Sequence, residues 1–287
     1  MTMAHTLRAQ LRDGGLLVAP GVYDGITARL AVQAGFETVY MTGACVSAAR
    51  GYPDYGLLTL TEMAEAAGVI AAAAGVPVIA DADTGYGNEL NATRTVREYE
   101  MRGVAALHIE DQVMPKRCGH LDGKEVIGRE EFAAKIAAAA AARRSPDFVV
   151  IARTDARAVA GLDEAVARAN LALAAGADLA FVEAPQSLEE VAAIPQLVKG
   201  PCLLNVVPGG RTPDVTMAQA AEMGFRVAIL PGLLITAAIG AFDAALAAFA
   251  ESEFVHSSTG PNVRELFGRL GAPEWDRLRR RYAQAEE

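Results

Sequence analysis

Short apolar runs alternate with longer Ala-rich stretches along the whole chain. The runs Leu16–Ala19, Thr38–Met41, Val76–Ala80, Ala105–Ile109, Phe148–Ala152, Leu179–Val182, Cys202–Val206 and Val227–Leu230 are β-branched or Leu-rich on both faces. That is the pattern of parallel strands buried on both sides. Between them the spacing of apolar residues predicts helices over Gly25–Gln33, Thr61–Ala74, Leu90–Met101, Glu130–Arg143, Asp163–Ala175, Leu188–Leu197, Asp214–Met223 and Leu233–Ala250. Thr61 and Asp163 are expected N-caps, and Gly35, Gly75, Gly103, Gly176 and Gly224 close helices. Parallel strands need helical crossovers, so eight such units in series predict an α/β fold, the closed (β/α)8 TIM barrel. The rival, an open doubly wound sheet, wants a Gly-rich phosphate fingerprint after strand one, and Ala19-Pro20-Gly21-Val22-Tyr23-Asp24 lacks that spacing. No linker divides the chain, so 1–287 is expected to be one barrel domain with 251–287 as a helical extension. A last helix, Asn262–Ala285, carries Val263, Leu266, Phe267, Leu270, Trp275, Leu278 and Tyr282, which need a surface on the barrel or on another subunit.

Composition narrows the class. The 287 residues are 52% hydrophobic but only 6% aromatic, so the core is built from Ala, Val, Leu and Ile. A net charge of −9 argues against a nucleic-acid partner, which requires a basic face. The basic run Arg277–Arg281 reads as a solvated or intersubunit face. Three cysteines (Cys45, Cys118, Cys202) do not make a disulfide framework and point to a reducing, cytoplasmic setting. Val227–Leu246 comes nearest to a membrane span, but Pro231, Gly232, Gly240 and Asp243 interrupt it, so no membrane partner is expected.

Polar residues then cluster where a barrel does chemistry, at the strand C-termini. Tyr40 and Thr42-Gly43-Ala44 follow strand two; Asp81 and Asp83 follow strand three. His108, Glu110 and Asp111 end strand four, Arg153 and Asp155 strand five, Glu183 strand six and Asn205 strand seven. A single Asp after a strand is usually a cap or turn residue. Polar ends on six of eight strands are harder to explain that way, because buried charges must be paired or metal-bound. The carboxylates Asp81, Asp83 and Glu110 suit a hard divalent cation, with a Lys/Arg-neutralised network as the alternative. Arg153 serves either as that network's counter-ion or as a grip on a substrate carboxylate. Cys118 stands among cations in Lys116-Arg117-Cys118-Gly119-His120. Neighbouring positive charge is expected to lower its pKa from about 8.5. Cys45 and Cys202, in apolar contexts, read as packed core thiols.

These motifs carry a resemblance. With Asp81-Ala82-Asp83-Thr84-Gly85-Tyr86-Gly87 and Ile151-Ala152-Arg153-Thr154-Asp155-Ala156, the Cys-bearing loop makes the chain similar to the isocitrate lyase/phosphoenolpyruvate mutase superfamily over almost its whole length. The resemblance implies a (β/α)8 barrel whose C-terminal helices swap between subunits of a homotetramer. It also implies Mg²⁺ (or Mn²⁺) at Asp81, Asp83, Asp54 and Glu110. Thr42, Gly43, Ala44, His108, Gly119, Arg153, Glu183 and Asn205 are implied to line a carboxylate substrate. Cys118 is implied as general acid, with Lys116, Arg117 and His120 binding developing charge and Tyr40 or a metal-bound water taking the hydroxyl proton. The loop resembles that of carbon–carbon lyases, and Asn205-Val206-Val207-Pro208-Gly209-Gly210-Arg211-Thr212-Pro213 resembles the 2,3-dimethylmalate lyase segment, with Pro208 in place of Glu. Methylisocitrate lyases use Ser-Gly-Gly where Thr42-Gly43-Ala44 stands and an Arg where Thr236 aligns. The expected activity is therefore cleavage of an alkyl-substituted 2-hydroxy dicarboxylate to a 2-oxo acid and a carboxylate. The alternatives are 2-methylisocitrate lyase, oxaloacetate hydrolase and, from another class, an inactive carboxylate-binding barrel.

Overall fold

The computed structural model describes residues 2–254 and 260–283. Helix α1 (Met3–Asp13) leads into β1 (Leu17–Val22), α2 (Gly25–Gln33), β2 (Val39–Met41), α3 (Gly43–Ala49), α4 (Leu60–Ala74) and β3 (Val78–Asp81). There follow α5 (Glu89–Met101), β4 (Ala106–Glu110), α6 (Arg129–Ala142), β5 (Val149–Thr154), α7 (Ala156–Ala160), α8 (Leu162–Ala174) and β6 (Leu179–Val182). The chain ends with α9 (Leu188–Leu197), β7 (Cys202–Asn205), α10 (Met217–Met223), β8 (Val227–Leu230), α11 (Leu233–Ser252), α12 (Val263–Arg269) and α13 (Ala272–Ala283). The strands pair in chain order, all parallel, and β8 closes on β1 from Leu17↔Val227 to Pro20↔Leu230. The fold is the (β/α)8 barrel that the alternation predicts.

Strand alternation sorts the core. Tyr40, Ile79, Ala106, Ile151, Phe181, Leu203 and Ile229 form a luminal cluster, which Ala4 and Leu7 of α1 join. Their neighbours Met41, Ala80, Leu107, Ile109, Val150 and Ala152 pack outward with residues of α2, α4, α5 and α6. Leu7 is fully buried, and burying such a side chain contributes about 1.5–3 kcal/mol. Several strands run past their apolar stretch: β3 to Asp81, β4 to Glu110, β5 to Thr154. Backbone pairing continues through Asp81↔His108 and Glu110↔Arg153, so the ladder outlasts the hydrophobicity and carries charges into the barrel mouth.

The helix starts differ from those the sequence predicts. Helix α4 is capped by Thr59 in a capping box with Glu62, not by Thr61. Helix α8 opens after Gly161, leaving Asp163 in the first turn, where its charge still favours the helix dipole. The short helices α1, α3 and α7 were not expected.

Two compact units divide at Leu234, Met1–Leu234 and Ile235–Glu287. In the second, α12 stops at Leu270 and Gly271 takes a left-handed φ of 94°, so the expected single helix Asn262–Ala285 is two helices. Ala285 lies outside the described residues. Gly240 and Asp243 lie within α11 without breaking it, and by length and composition alone that helix is apolar enough to cross a membrane. Ile239, Phe242, Leu246, Phe249, Val263, Phe267 and Trp275 are exposed in this single chain.

Candidate active site

At the C-terminal end of the barrel Asp81, Asp83, His108, Glu110, Arg153, Glu183 and Asn205 are all buried. Such burial is tolerated only where each charge finds an opposite one or a strong donor. The arrangement divides into a carboxylate side and a cation side.

On the carboxylate side, the turn after β3 puts Asp83 at a left-handed φ of 45°. Its N–H donates to Asp81 Oδ1 (2.9 Å), and Gly43 N–H donates to Asp81 Oδ2 (3.2 Å). A Cβ on Gly43 would lie 2.6 Å from that oxygen, so the close approach of α3 requires glycine. Tyr99 Oη donates to the Asp81 carbonyl (2.9 Å), fixing the turn from below. Lys116 reaches in from the β4–α6 loop, donating to Asp54 and lying 2.9 Å from Asp83 Oδ1 without an aligned hydrogen bond. Burial opposes its charge, but Asp83, Asp54, Glu110 and Asp81 together raise its pKa well above the ordinary value. Asp81 is likewise desolvated, yet His108, Lys116 and Arg153 outweigh that and hold it at about 2. Asp83 goes the other way, to about 6, through burial and then the charges of Asp81 and Asp54. Burial also raises Glu110 strongly, and neither of its oxygens has a hydrogen-bond partner.

Unsatisfied buried carboxylate oxygens beside other carboxylates are what a bound cation would relieve. Among the described residues no three His, Cys, Asp or Glu side chains converge as a ready direct-ligand set. The residues placed to hold a divalent cation are Asp81 and Asp83, with Asp54 and Glu110 near them.

On the cation side, Arg153 forks onto Asp155 (2.9 and 3.3 Å) and lies 3.2 Å from Glu110 and 3.6 Å from Glu183. It is the network's counter-ion, and its one guanidinium faces three carboxylates. Asn205 Nδ2 donates to both oxygens of Glu183 (3.1 and 3.2 Å). His120 Nδ1 accepts from Arg211 N–H (3.0 Å), which leaves its proton on Nε2, 3.4 Å from Glu183.

Cys118 lies between the two sides on the same loop, its N–H bonded to the Asp54 carbonyl (3.1 Å). Its thiol does not behave as its neighbours in sequence suggest. Burial, then Asp54, raises its pKa above the ordinary value. The reason is direction: Lys116 points to Asp54 and Asp83, while Arg117 is exposed, its guanidinium 5.9 Å above the Tyr55 ring. Arg117 is not brought to the carboxylates. Cys118 is therefore a protonated thiol at neutral pH, suited to giving a proton. Its alkylation by iodoacetamide should keep accelerating beyond the pH at which a free cysteine levels off. A plateau at or below neutral pH would contradict this.

Tyr40 also departs from expectation. Burial, then Asp81, raises its pKa well above 10, and its Oη lies 2.9 Å from His108 Nε2. A phenol held neutral is placed to donate a hydrogen bond here. His108, pushed down to about 4 by burial, is neutral as well. Thr42 and Gly43 are buried at the start of α3, and Ala44 is half-buried beside them. Cys45 (about 11) and Cys202 (about 12) are raised by burial, as packed thiols are.

Two residues that hold this network, Lys124 and Arg168, had no signal in the pattern. Lys124 donates to the Gly119 carbonyl and to Asp155 (2.9 Å). Asp111 accepts from Asp155 N–H (2.8 Å) and Thr154 Oγ1 (2.6 Å) and pairs with Arg168 of α8 (3.1 Å). Only helical phase would have hinted that Arg168 faces inward.

The family profile described as phosphoenolpyruvate phosphomutase matches residues 7–250. The chain belongs to that family. A 2,3-dimethylmalate lyase from Eubacterium barkeri is 49% identical over 80% of this chain and 80% of its own length. A 2-methylisocitrate lyase from Aeropyrum pernix is 46% identical over 84% of this chain and 77% of its own. The structure of a phosphonopyruvate hydrolase complex with oxalate and Mg²⁺ superposes with a TM-score of 0.90 at 34% identity, covering 99% of this chain and 100% of that one. Within the PEP mutase/isocitrate lyase superfamily, relatives named as lyases support a carbon–carbon lyase here.

Proposed function

We propose that this phosphomutase-family enzyme cleaves a 2-hydroxy dicarboxylate of the 2,3-dimethylmalate kind to a 2-oxo acid and a carboxylate. The observation that carries the reading is a half-buried Cys118 thiol, its pKa raised by burial and Asp54, on a loop whose Lys116 reaches a buried carboxylate cluster. Similarity to the dimethylmalate lyase supports the substrate class. A divalent cation at Asp81 and Asp83 would polarise the 2-hydroxyl and its neighbouring carboxylate.

Arg153, Asn205 and the Nε2–H of His120 hold the substrate's carboxylates, exchanging their present partners for it. The hydroxyl proton leaves to the carboxylate cluster as the C2–O bond becomes a carbonyl. The C2–C3 electron pair passes to C3, giving an enediolate, and Cys118 delivers its proton there. Lys116, buried and cationic, lowers the energy of the extra negative charge. The loop keeps water from competing for the carbanion.

Incubation with Mg²⁺ and 2,3-dimethylmalate should release pyruvate and propionate, followed by coupled assay and chromatography. Succinate from 2-methylisocitrate in a parallel tube would reassign the substrate, and oxalate from oxaloacetate would reassign the reaction. Metal-dependent binding without product from any of them would leave a carboxylate-binding protein. The exposed apolar residues of α11 to α13 favour a homo-oligomer that covers them, and exchange of these helices between subunits is part of the same proposal.

A further inference from the structure

We propose that Lys124 is the positioning residue that holds the thiol loop shut, by tying the Gly119 carbonyl to Asp155. This deepens the site reading above, and its main test is read without turnover.

Lys124 lies on the return limb of the loop with its side chain almost wholly buried. Its ammonium donates to the carbonyl of Gly119, between the thiol and His120, and to Asp155 Oδ1 at 2.9 Å. Neutralising Asp155 does not account for it, because Arg153 already forks onto that carboxylate. A buried ammonium is costly unless its hydrogen bonds are made. What Lys124 adds is the bond back to its own loop. Asp155 is a fixed anchor: its N–H is bonded to Asp111, which Arg168 and Thr154 hold in turn. Gly119 is also packed closely, since a Cβ there would overlap Glu183 and lie 2.6 Å from Arg153. The residue after Cys118 is thus held by a hydrogen bond and by close packing. Before the thiol the loop is tied to Asp54 by Lys116 and by the Cys118 N–H; after it, Arg211 onto His120 and Asp122 ends on a carboxylate whose side chain is 92% exposed, where solvent weakens it. Because Arg153 and Lys124 share Asp155, loop closure and the orientation of Arg153 are set together.

The test is iodoacetamide labelling of the full chain at mildly alkaline pH, with Cys118 and Cys202 quantified separately by peptide mass spectrometry. In Lys124→Met, Cys118 should label about tenfold to a hundredfold faster, the scale of one charge-assisted hydrogen bond lost, while Cys202 stays at its wild-type rate. Lys124→Gln, which keeps one donor, should fall between the two, and it carries the test alone if the Met variant does not fold. Unchanged Cys118 labelling overturns the proposal. So does a parallel rise at Cys202, which would mean general destabilisation. Faster Cys118 labelling in an enzyme that turns over none of the substrates above would keep the clamp and discard the lyase.

Discussion

Replacing Cys118 with Ser lowers turnover by at least about a hundredfold, the usual scale for losing a positioned proton donor and about 2.7 kcal/mol of barrier. The substitution removes one acidic proton and little volume. A serine hydroxyl is a far weaker acid than the thiol, even one raised by burial and Asp54. The surroundings give no compensation, since Lys116 is committed to Asp54 and Asp83 and His120 to Arg211 and Glu183. Unfolding temperature and Mg²⁺ affinity should stay at wild-type values, because the Cys118 contact to the Asp54 carbonyl is made by the backbone. The measurement is kcat on the productive substrate beside a thermal melt. Near-normal kcat would remove Cys118 from the chemistry and with it the lyase assignment.

Stripping divalent cations with EDTA abolishes turnover and lowers the melting temperature, and Mg²⁺ restores both. The carboxylates around Asp81 have one ammonium among them, and what they lack shows in Asp83 raised to about 6 and in the oxygens of Glu110, which face Arg153 but have no hydrogen-bond partner. A dication that binds only the folded chain stabilises it by about 2.7 kcal/mol at a hundred times its Kd. In Asp81→Asn the Mg²⁺-dependent shift should largely disappear, since that side chain takes the Gly43 and Asp83 N–H groups and would lose the charge proposed to hold the ion. Calorimetric melts of both proteins, with chelator and with Mg²⁺, decide it. Identical melts and full activity in EDTA would show that Lys116 and Arg153 satisfy the cluster without a metal.

The eight strands were legible because each is apolar on both faces, and a parallel strand covered on both sides admits little else. The polar residues at their ends were legible for the complementary reason: Asp81, Glu110 and Arg153 break runs that the barrel continues to pair. Helix starts were less clear, since Thr59 and Thr61 are both residue types that cap, although only Thr59 has a Glu three positions on. Only the capping box with Glu62 separates them.

What the chain order determined by itself is the barrel, its polar mouth and the inventory of groups placed there, because period-two alternation and burial are local properties of the chain. What only the tertiary structure decided is which charge faces which. Lys116 and Arg117 adjoin Cys118 in sequence, yet one turns to Asp54 and Asp83 and the other out over Tyr55, so the thiol is raised rather than lowered. Lys124 and Asp155, 31 positions apart, meet in the interior. Electrostatic energy depends on distance through space and on the water excluded between the charges, and neither is written in the spacing of residues along a chain.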